Sequence, residues 1–245
     1  MTQQKETHFG FKTVDWDEKQ SRVRGVFDSV ASRYDIMNDV MSLGAHRLWK
    51  RYMVDTLRLQ DDMQVLDLAG GTGDIGFAMR KRAAIDLTIC DINAEMLGQG
   101  RARGFDTNIR DVKWVCGNAE CLPLPDAQFD VVTIAFGIRN VTDIGAALHE
   151  MYRVLKPSGR LLCLEFSHPV AALKPIYDAY SFKLIPRMGE WIAKDRDSYQ
   201  YLVESIRRFP TQDDFAQMMT DAGFAQARYD NLSGGIVALH SGYRI

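Results

Sequence analysis

The stretch Val65-Leu66-Asp67-Leu68-Ala69-Gly70-Gly71-Thr72-Gly73-Asp74 runs a short apolar segment into a glycine-rich turn and then into a helical pattern. This is how a βαβ unit begins, because glycine permits the positive φ angles and close backbone approach that so tight a strand-to-helix turn needs. The rhythm continues downstream. Apolar runs at Val65–Leu68, Leu87–Cys90, Val112–Cys116, Phe129–Ile134 and Arg160–Phe166 alternate with helix-like stretches at Ile75–Arg82, Ala94–Arg103 and Ile144–Val154. Strands that alternate with helices predict a doubly wound, mostly parallel sheet covered on both faces, and burial on both sides explains why the runs are continuous.

The flanks follow other rules. Glu18–Arg33 and Val40–Leu57 carry apolar residues at helical spacing, as in Val23, Val26, Phe27 and Val30. Lys156-Pro157-Ser158-Gly159 reads as a turn between the preceding helix and the next strand. Beyond Pro169, Leu173, Ile176, Tyr177, Tyr180 and Leu184 keep a helical period until Pro186, and Asp213–Ala222 predicts a helix stopped by Gly223. Ala225–Asn231 and Ile236–Tyr243 flank Leu232-Ser233-Gly234-Gly235 as a closing hairpin. The expectation is a single domain, 1–245: N-terminal helices to residue 60, a core over 61–168, an inserted helical lid over 169–223 and a hairpin over 224–245.

Composition narrows the function. The 245 residues carry 30 Lys+Arg against 32 Asp+Glu, a net charge of −2, which argues against nucleic acid as a partner. The N-terminus is polar, so no signal peptide is expected, and the most apolar run, Val131–Ile138, is far shorter than the roughly 20 residues a membrane span requires. Cys90, Cys116, Cys121 and Cys163 are scattered without metal-site spacing. We therefore expect no metal and a reduced, cytoplasmic setting, with Cys116 and Cys121 as packing residues.

The glycine turn admits two ligands or none. Gly71, Gly73 and Gly76 satisfy G-x-G-x-x-G, and Asp91, about 20 residues on, could hold ribose hydroxyls. A bare strand-to-helix turn would look the same. A pyrophosphate would meet Asp67 and Asp74 here, with no basic residue in the turn or the helix after it before Arg80. Carboxylates repel phosphate and favour a sulfonium with an α-ammonium, so the turn favours S-adenosylmethionine over a nicotinamide dinucleotide. Gly117-Asn118-Ala119-Glu120, after the third strand, reads by itself as a polar loop; it resembles the bend that borders the adenine in Rossmann-like methyltransferases.

Asp67–Gly73, Asp91-Ile92-Asn93, Asn118-Ala119-Glu120, Phe136-Gly137-Ile138-Arg139-Asn140-Val141 and Leu155-Lys156-Pro157 resemble the class I S-adenosylmethionine-dependent methyltransferases, which have a Rossmann-like fold. More narrowly they are similar to the ubiquinone/menaquinone biosynthesis C-methyltransferases. The likeness spans nearly the whole chain, including Phe27–Ala31, Tyr34-Asp35 and Tyr177–Phe182. It implies a seven-stranded sheet with a C-terminal antiparallel hairpin strand. It also implies cofactor contacts at Thr72, Asp91, Asn118 and Ala119, with Gly71 and Gly73 shaping the pocket. Ala69 replaces the glycine usual in the wider superfamily. Ala135 stands where a serine is common, which leaves its backbone for the contact.

The resemblance further implies methylation of a ring carbon of a polyprenylated benzoquinol or naphthoquinol. Arg139 is a poor base, but it can stabilise a developing phenolate or orient a water, with Asn140 fixing the ring oxygen. The alternative for Arg139 is a structural ion pair with Asp143. We expect His149 and His240 to be structural or surface residues, and His46 could line the entrance. Leu173–Trp191 is the candidate lid over a lipid tail. A protein that uses such an acceptor would reach the inner membrane peripherally or through a quinone-biosynthesis complex, and could form a homodimer. Methylation of another lipid-like acceptor, an NAD-linked oxidoreductase and a cofactor-binding scaffold without turnover stay open at this point.

Overall fold

The computed structural model describes residues 6–30, 39, 42, 44–181 and 196–245, without the side chains of residues 27–30, 176 and 196. Seven strands form the main sheet: β3 (Gln64–Leu68), β4 (Asp86–Asp91), β5 (Val112–Cys116), β6 (Phe129–Ala135), β7 (Leu155–Phe166), β8 (Ala225–Leu232) and β9 (Val237–Tyr243), in the order β5-β4-β3-β6-β7-β9-β8. The first five pair in parallel, and β9 runs antiparallel to both β7 and β8. The predicted mostly parallel sheet with its closing hairpin is what forms. Chain direction across the sheet reverses between β3 and β6, the switch point where α/β sheets open a crevice at their carboxyl edge.

Each crossover helix buries one stripe. Leu97 on α4 (Ala94–Asp106), and Ala147, Leu148, Met151 and Val154 on α5 (Ile144–Val154), pack into the two clusters that cover opposite faces of the sheet. Side chains set the starts. Asn93 Oδ1 accepts from Glu95 N and Met96 N at 3.0 and 3.1 Å, and Asp143 Oδ1 accepts from Ala146 N at 3.0 Å. On α8 (Gln212–Asp221) Thr211 is the cap, and Gly223 beyond its end takes φ +102°, as expected of that glycine.

Several expectations need amendment. Lys156–Gly159 does not precede β7 but bulges within it, since Phe129 faces Leu155 while Val131 faces Arg160. The polar N-terminus forms a two-stranded hairpin, β1 (Glu6–Phe9) and β2 (Lys12–Asp15), that turns at Gly10 with φ +59°. α1 (Trp16–Val30) starts ahead of the predicted Glu18–Arg33 helix and overlaps it, and α2 (His46–Thr56) lies inside the predicted Val40–Leu57. Cys116 and Cys121 are exposed and are not packing residues. His46 is buried at 4% exposure against Asp39 instead of lining an entrance. His240 is buried, and burial pushes its imidazole pKa down to about 4. His149 is exposed.

The lid segment is described only in part. α6 (Lys174–Ala179) starts it, with Tyr177 buried, and Phe182, Leu184, Ile185, Pro186 and Trp191 lie outside the described residues. α7 (Arg196–Arg208) follows and packs against the turn that succeeds β6. No helix among the described residues is long and apolar enough to cross a membrane.

Candidate functional site

A solvent-open cleft of about 1190 Å³ lies at the carboxyl edge of β3, β4, β5 and β6. Its walls include Gly71, Thr72, Asp91, Asn118, Ala119, Ala135 and Asn140, so the turn after each of four strands contributes a predicted site residue. Gly73 does not line it. That glycine takes φ +83° as the N-cap of α3 (Asp74–Arg80) and shapes the turn from behind. Ala69 and Gly71 also take positive φ, +51° and +52°, the first an uncommon conformation for a residue with a Cβ.

Two contacts explain why this backbone stays so tight. A Cβ on Gly137 would fall 2.5 Å from the Ala69 Cβ, so the turns after β3 and β6 touch without room for another atom. A Cβ on Gly71 would fall 2.8 Å from Met96 Cε. Glycine here makes space for the fold and for anything that lies on the turn.

Asp91 is the polar centre of this wall. Its Oδ2 accepts from Gly71 N at 2.9 Å and its Oδ1 from Asn93 N at 2.8 Å. Asp91 is buried at 9% exposure, and burial pushes its pKa up against those backbone donors. A carboxylate has about four lone-pair sites, so oxygens already holding the turn can still accept from ligand hydroxyls. Asn118 also works locally, with Oδ1 accepting from Glu120 N at 3.0 Å. Glu120 Oε1 accepts in turn from Thr142 N at 2.7 Å, which ties the loop after β5 to the loop after β6 across the cleft.

The two acids of the glycine turn are not the free pair that the sequence suggested. Burial opposes the charge on Asp74, but Lys50 at 2.8 Å and Arg103 at 3.4 Å outweigh it and hold its carboxyl below the ordinary range. Asp67 is 1% exposed and accepts from Gly76 N at 2.9 Å and Thr133 Oγ1 at 2.8 Å, yet burial pushes its pKa up to about 7. A folded pKa above the unfolded one means that the native state holds the proton longer. Asp67 therefore costs stability progressively as pH rises from about 4 towards 7. Asp67→Asn should flatten stability across that window, which urea unfolding at several pH values would measure. An unchanged slope would show that Asp67 ionises as freely in the fold as out of it.

Arg139 and Asn140 part company. Both lie in the short 3-10 turn Ile138–Asn140 after β6, but only Asn140 reaches the cleft. Arg139 lines a second cavity with Lys19, Tyr201 and Arg208, on the other side of Val141 and Thr142. Its ion-pair partner is Glu165 on β7, Nη1 to Oε1 at 2.6 Å, and not Asp143, which caps α5. Nη1 also donates to Phe136 O at 2.7 Å and so braces the turn that carries the cleft wall. Burial pushes the Glu165 carboxyl up, while the guanidinium and the Phe166 N–H oppose that shift. Arg139 Nε and Asn140 Nδ2 are buried without hydrogen-bond partners among the described residues.

Sequence reasoning missed the α1 face, where Gln20, Val23 and Arg24 line the cleft and Lys19 donates to Val141 O at 2.8 Å. It also missed Glu165, although an acid within the apolar run Leu161–Phe166 was a visible signal of a buried ion pair. No group of His, Cys, Asp and Glu suited to a metal occurs among the described residues.

Known proteins resemble this chain over nearly its whole length. The model of the ubiE/COQ5 methyltransferase family matches residues 15–244. The ubiquinone/menaquinone biosynthesis C-methyltransferase UbiE of Roseobacter denitrificans is 57% identical over 244 residues, covering 98% of each chain. Its counterpart in Shewanella baltica OS155 is 55% identical over 98% of this chain and 97% of that one. Among solved structures, a SAM-dependent methyltransferase from Aquifex aeolicus superposes with a TM-score of 0.60 at 16% identity, covering 85% of this chain and 98% of its own. At that identity the last likeness speaks for the fold.

Proposed function

The chain belongs to the ubiE/COQ5 methyltransferase family, and from that premise we propose that it methylates a ring carbon of a polyprenylated benzoquinol or naphthoquinol. It is an S-adenosylmethionine-dependent methyltransferase. The observation that carries the acceptor reading is Asn140: a buried amide donor without a partner among the described residues, on the wall of the cleft that also holds Asp91 and the glycine turn.

The cleft fits the methyl donor in shape and chemistry. Gly71, whose φ of +52° favours glycine, and Thr72 would carry its amino-acid end along the turn, and Asp91 would accept from its ribose hydroxyls. Asn118 and Ala119 would border the adenine, and Ala135 would offer its backbone. S-adenosylmethionine supplies an electrophilic methyl group when bound there. The chain's own task is to align the acceptor carbon and favour its nucleophilic form. Asn140 Nδ2 donates to the ring oxygen as its proton leaves. Arg139 holds the turn that carries Asn140 in place through Glu165 and Phe136 O. With S-adenosylmethionine bound, the ring oxygen's proton would pass to water, and the ring carbon would take the methyl group as the methyl–sulfur bond breaks and S-adenosylhomocysteine leaves. Loss of the ring proton to water, with reprotonation of the oxygen, would restore the aromatic quinol.

A polyprenyl tail must also be met. Leu48 and Tyr52 on α2, and Val170 and Leu173 before α6, are large apolar side chains left exposed. They support peripheral contact with the bilayer that stores the acceptor.

A quinone profile of cells lacking this chain tests the reading. Accumulation of quinones that lack one ring methyl group is expected, with restoration by the wild-type chain. An unchanged profile would contradict it.

A further inference from the structure

We propose that Tyr201 is a positioning residue for this methyl transfer, its hydroxyl fixing which atom of the Asn140 amide is presented to the acceptor oxygen. The inference rests on the reading of Asn140 given above. Tyr201 comes from α7, 61 residues beyond Asn140, and its Oη donates to Asn140 Oδ1 at 3.1 Å.

A primary amide has two orientations of almost equal shape that exchange a donor for an acceptor. The difference matters only when something reads it. With Oδ1 engaged by Tyr201, Nδ2 is the atom left over, buried and without a partner among the described residues. An N–H at that place stabilises an oxygen that gains negative charge, whereas a carbonyl oxygen would repel it. By giving its proton to Oδ1, Tyr201 favours the amide orientation that leaves the N–H for the acceptor oxygen.

The phenol itself is held firmly. Phe9 of β1 stacks on the Tyr201 ring with centroids 4.1 Å apart and planes 15° from parallel, and Tyr201 is 4% exposed. Burial pushes the Tyr201 hydroxyl well above its ordinary pKa, with Arg139 opposing and Glu165 adding to the shift, so it stays a donor wherever the fold is stable. The N-terminal hairpin thus braces the catalytic wall through one aromatic stack and one hydrogen bond.

A double-mutant cycle on the full-length chain separates this role from a structural one. Tyr201→Phe keeps the ring and its stack, and should lower kcat about tenfold, the effect of losing one well-placed hydrogen bond, while the Kd for S-adenosylmethionine stays unchanged and the unfolding midpoint falls by no more than one lost hydrogen bond accounts for. Asn140→Ala should lower kcat at least as much, and the double variant should be no slower than Asn140→Ala alone. Asn140→Asp, which can still accept from Tyr201 but offers an oxygen in place of the N–H, should be at least as slow as Asn140→Ala. Full turnover in Tyr201→Phe overturns the proposal, as does a second, additive loss in the double variant. A joint fall in cofactor affinity and unfolding midpoint would make Tyr201 part of the framework instead. Should Asn140→Ala alone keep full turnover, the acceptor reading itself falls, and that outcome is distinct from a failure confined to Tyr201.

Discussion

Replacing Asp91 with alanine is expected to weaken S-adenosylmethionine binding by about 1.5–3 kcal/mol, the worth of hydrogen bonds to a charged acceptor. The same change removes the acceptor that Gly71 N and Asn93 N share. Buried donors left unpaired cost on the order of 1–3 kcal/mol each, so stability should fall as well. Asp91→Asn distinguishes the two effects. Its carbonyl oxygen can keep one backbone donor, so stability should recover in part while affinity stays low. Isothermal titration and urea unfolding on both variants check this. An unchanged Kd in Asp91→Ala would remove Asp91 from the cofactor site.

The second large effect belongs to Arg139. Arg139→Ala strands Glu165, which is 0% exposed, without the cation that justifies its charge. Removing one partner of a buried pair typically costs about 3–5 kcal/mol. The loss should be smaller in mild acid, because a stranded buried carboxyl takes up a proton more readily. Adding Glu165→Leu should restore much of the stability. It should not restore turnover if Arg139 also stabilises the acceptor oxygen. Urea midpoints at two pH values, beside kcat and cofactor Kd, check both parts. A fall in kcat that the double variant fully reverses would make Arg139 a structural residue alone.

These residues also show how far a sequence carries such an argument. The sheet was legible because its strands are continuous apolar runs and its helices carry regular stripes, both local properties. The cofactor cradle was legible for a related reason: glycines at a strand end and Asp91 at the next strand end are tied to their elements by short spacing. Ion pairing was not legible. Lys50 and Arg103 neutralise Asp74 from two other helices, and Glu165 claims Arg139 from the neighbouring strand, where Asp143 had the nearer position in sequence. Such pairings depend on which side chains tertiary packing brings within a few ångströms, and the apolar pattern does not encode that. The β1–β2 hairpin escaped for another reason. Its strands are four residues each, too short for alternation to stand out, and only Gly10 marks its turn.

The central claim is that the cleft positions a quinol carbon for methylation. Incubating the wild-type chain with S-adenosylmethionine bearing a trideuterated methyl group and a short-chain demethylated quinol, followed by mass spectrometry of the product, tests it most directly. The account predicts a labelled methyl group on a ring carbon in place of one ring hydrogen, with one S-adenosylhomocysteine released per product. A label found on a quinol oxygen, or cofactor binding without transfer to any quinol offered, would contradict it.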